Sequence, residues 1–293
     1  MAQARVLVTR PMRDSLTWAA QLQQRGMQAE AFALIDIAPL DAPPNVQALA
    51  QAWRDIGQYG ACMFVSGHAV DYFFKSNKAF DQQIRAHTAI ENIATAETPA
   101  PAHLPAGMRF MAPGPGTAAA LLAKGIAPEQ IDAPLPDAPQ FDSESLWQVI
   151  GERDWRGQRV LVLRGQSAEA DVGSVESSGR EWLARQWRAA GAEVEFLAVY
   201  QRRAPVLDAE QLQRAQAASD DGSIWLFSSS EAVANLVATP ALATLDWSRA
   251  RAVVTHPRIG EAVQALGWGV VVSSRPALAD VCSAIGSLES SYS

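Results

Sequence analysis

The sequence predicts an alternating α/β protein built from a duplicated unit, with parallel sheets covered by helices. Short β-branched runs alternate with stretches of helical periodicity along the chain, the pattern of strands buried on both faces. A second observation is that four motifs recur in the same order in the two halves. Val6-Leu7-Val8-Thr9-Arg10 returns as Val160-Leu161-Val162-Leu163-Arg164, and Gly26 to Phe32 returns as Gly191 to Leu197. Phe64-Val65-Ser66-Gly67-His68-Ala69-Val70 and Phe227-Ser228-Ser229-Ser230-Glu231-Ala232-Val233 both read F-x-S-x-x-A-V. Gly114-Pro115-Gly116-Thr117, followed by Gly125, matches His256-Pro257-Arg258-Ile259, followed by Gly267. The spacing drifts only at Ala79–Gly107 in the first copy and Ala168–Ser178 in the second, both of loop and solvent-face composition. Insertions therefore account for it, and a duplicated α/β unit is expected to hold its ligand between its copies.

In chain order, strands are predicted at Arg5–Thr9, Ala29–Leu34, Ala61–Ser66, Arg109–Ala112, Arg159–Leu163, Val194–Val199, Ile224–Ser228, Ala252–Thr255 and Gly269–Ser273. Each is a short β-branched or apolar run bounded by polar or glycine-containing segments. Ser15–Arg25 and Arg180–Ala190 place apolar residues at helical spacing and stop at Gly26 and Gly191, the expected helix-ending residue. In such sheets ligands sit beyond the carboxyl ends of the strands, where helix N-termini present unpaired N–H groups. The segments that follow predicted strands and precede predicted helices are Thr9-Arg10-Pro11, Ser66-Gly67, Gly114 to Thr117, Arg164-Gly165, Ser228 to Ser230 and His256 to Ile259.

Composition narrows the class of protein. The chain has 293 residues, 48% of them hydrophobic, enough for two ordinary cores. No apolar run approaches membrane-spanning length and the first strand begins a few residues after Met1, so a cytoplasmic protein without membrane partners is expected. A net charge of −7 argues against nucleic acid. Cys62 and Cys282 make no metal or redox spacing and read as small buried hydrophobes. His68, His87, His103 and His256 form no i,i+4 pair, so no metal site is expected.

Two divisions into domains fit the sequence. The Pro-rich stretch Ala133–Phe141 suits a single linker between copies. Alternatively, the extended segments Ile37–Pro44 and Tyr200–Pro205 both cross, so that the first strand–helix–strand unit joins the last third of the chain. Gly114 to Ala119 also matches the G-x-G-x-x-A fingerprint of a nucleotide-dependent enzyme. Against it, Pro115 sits within the turn, no acidic residue follows at the usual distance, and the repeat mate His256–Glu261 lacks the first two glycines. A non-catalytic two-domain ligand-binding protein is a third reading; such proteins usually carry a secretion signal.

Taken together, V-L-V-T-R-P at 6–11, F-x-S-x-x-A-V at 64–70, G-P-G-T-A-A-A-L at 114–121, F-D-S-E at 141–144, R-G at 164–165 with G-R-E-W-L at 179–183, G-A-E-V-E-F-L-A-V-Y at 191–200, F-S-S-S-E-A-V at 227–233 and T-H-P-R-I at 255–259 resemble the uroporphyrinogen-III synthase family. The resemblance spans nearly the whole chain and rests on order and spacing. It implies two flavodoxin-like parallel-sheet domains joined by a pair of extended linkers: 1–36 with 204–293, then 44–199, with linkers 37–43 and 200–203. It further implies a cofactor-free lyase that takes a linear tetrapyrrole, hydroxymethylbilane, and closes it with loss of water and inversion of ring D, acting as a monomer.

Under that resemblance Tyr200 matches the linker tyrosine, a candidate acid for hydroxyl departure; the residue type alone suits an amphipathic strand end with its hydroxyl at the surface. Arg10, Arg164, Arg180 and Arg258 would pair with the pyrrole acetates and propionates, since a guanidinium matches a carboxylate with two donors. Thr9, Ser66, Gly67, Gly116, Thr117, Ser228, Ser229 and Ser230 would bind through hydroxyls and helix N-terminal N–H groups. The serines and threonines equally suit plain N-caps. His68 stands where the family commonly has a basic or amide residue.

Overall fold

The computed structural model describes residues 4–76, 104–135, 138, 140–167 and 175–291. The expectations for most of 79–107, including His87 and His103, and for 168–174 fall outside them. The first half runs β1 (Arg5–Val8), α1 (Met12–Gln23), β2 (Gln28–Ala31), β3 (Asp36–Pro39), α2 (Pro43–Arg54), β4 (Ala61–Phe64), α3 (67–76), β5 (Arg109–Met111), α4 (Pro115–Ala123), β6 (Ile131–Asp132) and α5 (Ser143–Ile150). The second half runs β7 (Arg159–Ser167), α6 (Val175–Ala189), β8 (Glu193–Arg203), α7 (Ala209–Ala217), β9 (Ile224–Phe227), α8 (Ser230–Ala238), β10 (Arg251–Val254), α9 (Pro257–Gln264), β11 (Val270–Ser273) and α10 (Leu278–Ser291).

These elements form two compact units, Met1–Ile37 with Arg203–Ser293, and Ala38–Arg202. One sheet has the order β11-β10-β9-β1-β2 and the other β3-β8-β7-β4-β5-β6. Register repeats with the motifs. Arg5 lies opposite Gln28 and its counterpart Arg159 opposite Glu193; Val6 lies opposite Ile224, and Val160 opposite Ala61. Arg251 lies opposite Ile224, and Arg109 opposite Ala61. Each sheet therefore joins the opening strands of one copy to the closing strands of the other. Read from β2, the first is the flavodoxin-like order 2-1-3-4-5, and β8-β7-β4-β5-β6 is the same order built from the exchanged halves.

Several expected boundaries move. The segments read as bare linkers are partly strand: β3 borders β8, which continues to Arg203. The Gln201 side-chain amide donates to the Pro39 carbonyl at 3.0 Å, and Arg203 Nε donates to Asp36 at 2.6 Å. Extended backbone placed side by side satisfies its polar groups this way. The strand expected over Ala29–Leu34 ends at Ala31, because β1 stops before Pro11 and the last rung is Phe32 N–H to Val8 carbonyl at 2.9 Å. Ala33 to Ile35 remain buried by packing instead of strand pairing. Helix α6 begins at Val175, inside the stretch expected to be loop. Cys62 is buried, whereas Cys282 is only partly covered.

Alternation along the strands makes the cores. In the first unit Leu7, Trp225, Phe227, Ala252 and Val254 face one layer, where Trp247 and Trp268 stack at 4.9 Å. Val6, Val8, Ile224, Leu226 and Val253 face the other, beneath α1 and α10. In the second unit Ala61, Met63, Met111, Val160 and Val162 pack on Trp155 and Trp187, while Phe64 meets Phe73, Phe74 and Phe110 on the opposite face. Gly26 and Gly191 end α1 and α6 at φ +82° and +91°, the left-handed backbone that glycine adopts without a Cβ penalty.

At the edge of the second sheet, the buried Asp132 carboxylate accepts from Arg109 at 3.0 and 2.5 Å and is also paired with Arg153. Burial pushes its pKa up, but the hydrogen bonds and charges of Arg153 and Arg109 outweigh that and hold it below the usual carboxylate range. A carboxyl with a depressed folded pKa stabilises the fold above its unfolded pKa, and this contribution disappears as pH falls through the folded value. Asp132→Asn is therefore expected to lower stability at pH 7 by about 1–3 kcal/mol, the two arginines being partly solvated. Urea denaturation from pH 7 to 3 should show a shallower acid limb for the variant, and an identical pH profile would refute the assignment.

Candidate functional site

In the second unit, Ser66 follows β4 and caps α3, its hydroxyl accepting the Ala69 N–H at 3.2 Å. The same hydroxyl lies 3.0 Å from the Tyr200 hydroxyl. Tyr200 is 3% exposed, so the surface location that its residue type alone suggested is not what the fold provides. Its ring lies among His68 and Tyr72 on α3, at centroid separations of 6.0 and 5.7 Å, and the backbone of Gly165 on β7. These side chains come together because β7, β4 and β8 are adjacent parallel strands whose carboxyl ends share an edge.

Next to this group, α3 and α4 begin close together. A Cβ on Gly67 would stand 3.8 Å from the Gly116 carbonyl and 3.6 Å from Ala120 Cβ. Gly116 is exposed and Thr117 buried in the first turn of α4, whose N-cap Gly114 offers no side-chain acceptor. Arg164, on β7, holds its guanidinium 5.4 Å from the Phe196 ring centroid. Arg180 is in α6, but its side chain is outside the described residues.

The remaining expected site residues occupy the carboxyl ends of the first unit's strands. Thr9 is fully buried and its hydroxyl donates to the Leu226 carbonyl at 2.8 Å, which ties β1 to β9. Its side chain is committed to the fold. Ser229 caps α8 through the Glu231 N–H, with Ser228 and Ser230 half-buried beside it. His256 caps α9, its Nδ1 accepting the Arg258 N–H at 3.2 Å, and the Arg258 residue is exposed. Arg10 differs from these. Its guanidinium lies 4.3 Å from the Trp18 ring centroid, and its Nε is buried without a hydrogen-bond partner among the described residues. Burial lowers its pKa to about 10, Asp14 offsetting this only in part, so the side chain remains a cation at neutral pH.

Chemically, the second unit offers a phenol held by a helix-capping hydroxyl, and the first an under-partnered guanidinium beside helix N-termini. Among the described residues no group of three or more His, Cys, Asp or Glu is placed to hold a metal ion, and no helix is long and apolar enough to cross a membrane. Sequence reasoning placed Gly165 in a strand-end segment without a role of its own and gave no role to Tyr72. For Tyr72 the available signal was its i+4 spacing from His68 on one helix face.

A family model described as uroporphyrinogen-III synthase HemD matches residues 17–282. The chain belongs to the uroporphyrinogen-III synthase family. It is 27% identical over 266 residues to the uroporphyrinogen-III synthase of Salmonella typhimurium, covering 90% of this chain and 92% of that one. It is 26% identical over 170 residues to a porphyrin biosynthesis protein HemD of Ruminiclostridium josui, a match that takes in 57% of this chain but only 28% of that longer protein. Among solved structures, uroporphyrinogen-III synthetase from Helicobacter pylori superimposes with a TM-score of 0.51 at 14% identity, covering 100% of both chains. A mutant uroporphyrinogen-III synthase from Thermus thermophilus gives 0.51 at 17%, covering 99% of this chain and 97% of that one. Those two likenesses establish the shared fold. Family membership makes the chain a cyclising lyase of porphyrin biosynthesis and does not favour the nucleotide-dependent and binding-protein readings.

A partly desolvated cation whose buried Nε lacks a hydrogen bond costs the free protein stability. Arg10→Met keeps an aliphatic arm and a thioether against Trp18 while removing the desolvated charge. A gain on the order of 1 kcal/mol is expected, seen as a higher Tm; a lower Tm would mean that Arg10 is a net structural asset.

Proposed function

We propose that this uroporphyrinogen-III synthase takes hydroxymethylbilane as its substrate and that Tyr200 assists departure of the bilane hydroxyl. The observation that carries this reading is the hydrogen bond between the buried Tyr200 hydroxyl and Ser66. Ser66 Oγ already accepts the Ala69 N–H, so its own proton can be given to the Tyr200 oxygen. The Tyr200 proton is then directed to the leaving hydroxyl, which departs as water while the pyrrole nitrogen supplies the electron pair and an azafulvenium cation forms opposite the Tyr200 phenolate. Negative charge developing on the Tyr200 oxygen is stabilised by the Ser66 hydroxyl and by the positive N-terminal end of α3. Attack by the substituted carbon of ring D, and rearrangement through a spiro intermediate, then inverts that ring.

The same reading gives the arginines a binding role. Arg10 stays charged and has a donor in reserve, the state expected of a group awaiting a substrate acetate or propionate. Arg164 holds the equivalent place in the other copy of the repeat, and the N-termini of α3, α4, α8 and α9 add N–H donors. Thr9 contributes by holding β1 against β9. Holding a flexible polyanion with ring D correctly presented is an orientation contribution that reaches roughly 7–11 kcal/mol in favourable systems. The protein is read as a cytoplasmic monomer that needs no cofactor.

The test is turnover of hydroxymethylbilane, scoring the type III against the spontaneously formed type I isomer. Tyr200→Phe should lower kcat by roughly 10²–10⁴-fold with the fold intact; an unchanged rate would assign Tyr200 to structure alone. Arg10→Ala and Arg164→Ala should each raise KM more than they lower kcat, because carboxylate pairing serves ground and transition states alike. Wild-type KM in both would remove the arginines from the binding site.

A further inference from the structure

We propose that Gly165 is a positioning residue for the Tyr200 phenol, a role that rests on the reading of Tyr200 given above. A Cβ built on Gly165 would lie 2.5 Å from both Cε2 and Cζ of Tyr200 and 2.9 Å from its hydroxyl. No Cβ tolerates such approaches, and the ring has little room to withdraw, since Tyr72 and His68 lie around it and it is 3% exposed. Only a residue without a side chain lets the phenol lie on the β7 backbone at this height. That height brings its hydroxyl within 3.0 Å of Ser66.

The strand register adds a second observation. Along β7 and β8 the pairs proceed in step to Arg164 opposite Ala198, and the next pair is Gly165 opposite Tyr200, so Val199 is left over. Such an irregularity re-aims the side chain that follows it, and bulges are frequent beside functional sites. The ladder between β1 and β2 in the other copy runs from Arg5 opposite Gln28 to Val8 opposite Ala31 without a shift. Where the second copy has Arg164-Gly165 and continues as strand to Ser167, the first has Arg10-Pro11 and turns into α1. The glycine and the register shift occur together in the copy that carries the phenol. They turn Tyr200 across β7 toward the cap of α3.

The experiment compares wild type, Tyr200→Phe, Gly165→Ala and the double variant in the same turnover assay, with melting curves for each. Gly165→Ala should lower kcat by roughly 10²-fold, as a displacement of about 1 Å at a reacting group can, with KM little changed. In the Tyr200→Phe background the same substitution should cost nothing further, because no hydroxyl remains to be misplaced. A purely structural role for Gly165 would lower kcat in both backgrounds and overturn the proposal. Normal turnover by Gly165→Ala beside an impaired Tyr200→Phe would overturn the positioning alone; full turnover by Tyr200→Phe would overturn the reading of Tyr200 and the positioning with it. Should Gly165→Ala fail to fold, adding Tyr200→Ala should restore soluble protein melting like Tyr200→Ala, since the offending contact is gone. Failure of that rescue would show that Gly165 serves the backbone and not the phenol.

Discussion

Parallel pairing between strands that belong to different copies of the repeat is the constraint on which the rest of the molecule depends. Strand β1 pairs with β9 and β4 with β7, and each pair brings together residues far apart in sequence. Such pairing cannot form from local structure, because parallel neighbours require a crossover connection. Once made, it places all first turns of the following helices at one edge of each sheet. The Thr9 hydroxyl on the Leu226 carbonyl fastens one of these joints, and the Val65 N–H on the Leu163 carbonyl extends the other. Both units then present helix N-termini where the strands end.

That common edge explains the division of labour among the polar residues. Ser66, Ser229 and His256 there are used in capping, which satisfies backbone donors that a helix start would otherwise leave unpaired. Ser66 caps and also reaches Tyr200, so one hydroxyl links helix geometry to the candidate acid. Arg10 is the contrasting case, a cation kept partly desolvated against Trp18 at a cost to the free protein. Trade-offs of this sort are expected where binding groups must be held ready before the ligand arrives. Asp132 shows the alternative, since two arginines satisfy it within the fold and nothing is held in reserve.

Among the described residues the two copies differ where the chemistry is proposed. Strands β7 and β8 are long and irregular beside Tyr200, whereas β1 and β2 are four residues each and regular. Proline at position 11 ends one strand because it cannot donate to a ladder, and glycine at 165 lets the other continue beneath an aromatic ring. A duplicated scaffold thus supplies two similar rims, and a small change at one strand end makes one of them distinct.

The sequence by itself determined the α/β class, the repeat, nine of the strands and the strand-end position of the candidate residues, because periodicity, turn glycines and spacing are local signals that survive without tertiary context. It also carried the family, through the order of motifs from Val6 to Ile259. Strand pattern alone left open which halves of the copies share a sheet, since each opening pair of strands could satisfy its hydrogen bonds against either closing set; the family resemblance implied the interlaced division, and the tertiary structure builds its sheets from exchanged halves. It likewise decided that Ile37 to Pro39 would pair with β8, that the apolar run Ala33 to Ile35 would pack without a ladder, and that β6 would exist with two residues. The burial of Tyr200 was not legible, because a tyrosine at a strand end is amphipathic and its exposure is set by what lies across the sheet. Its contact with Gly165 depended on a register shift, a property of two strands together that neither strand's sequence records.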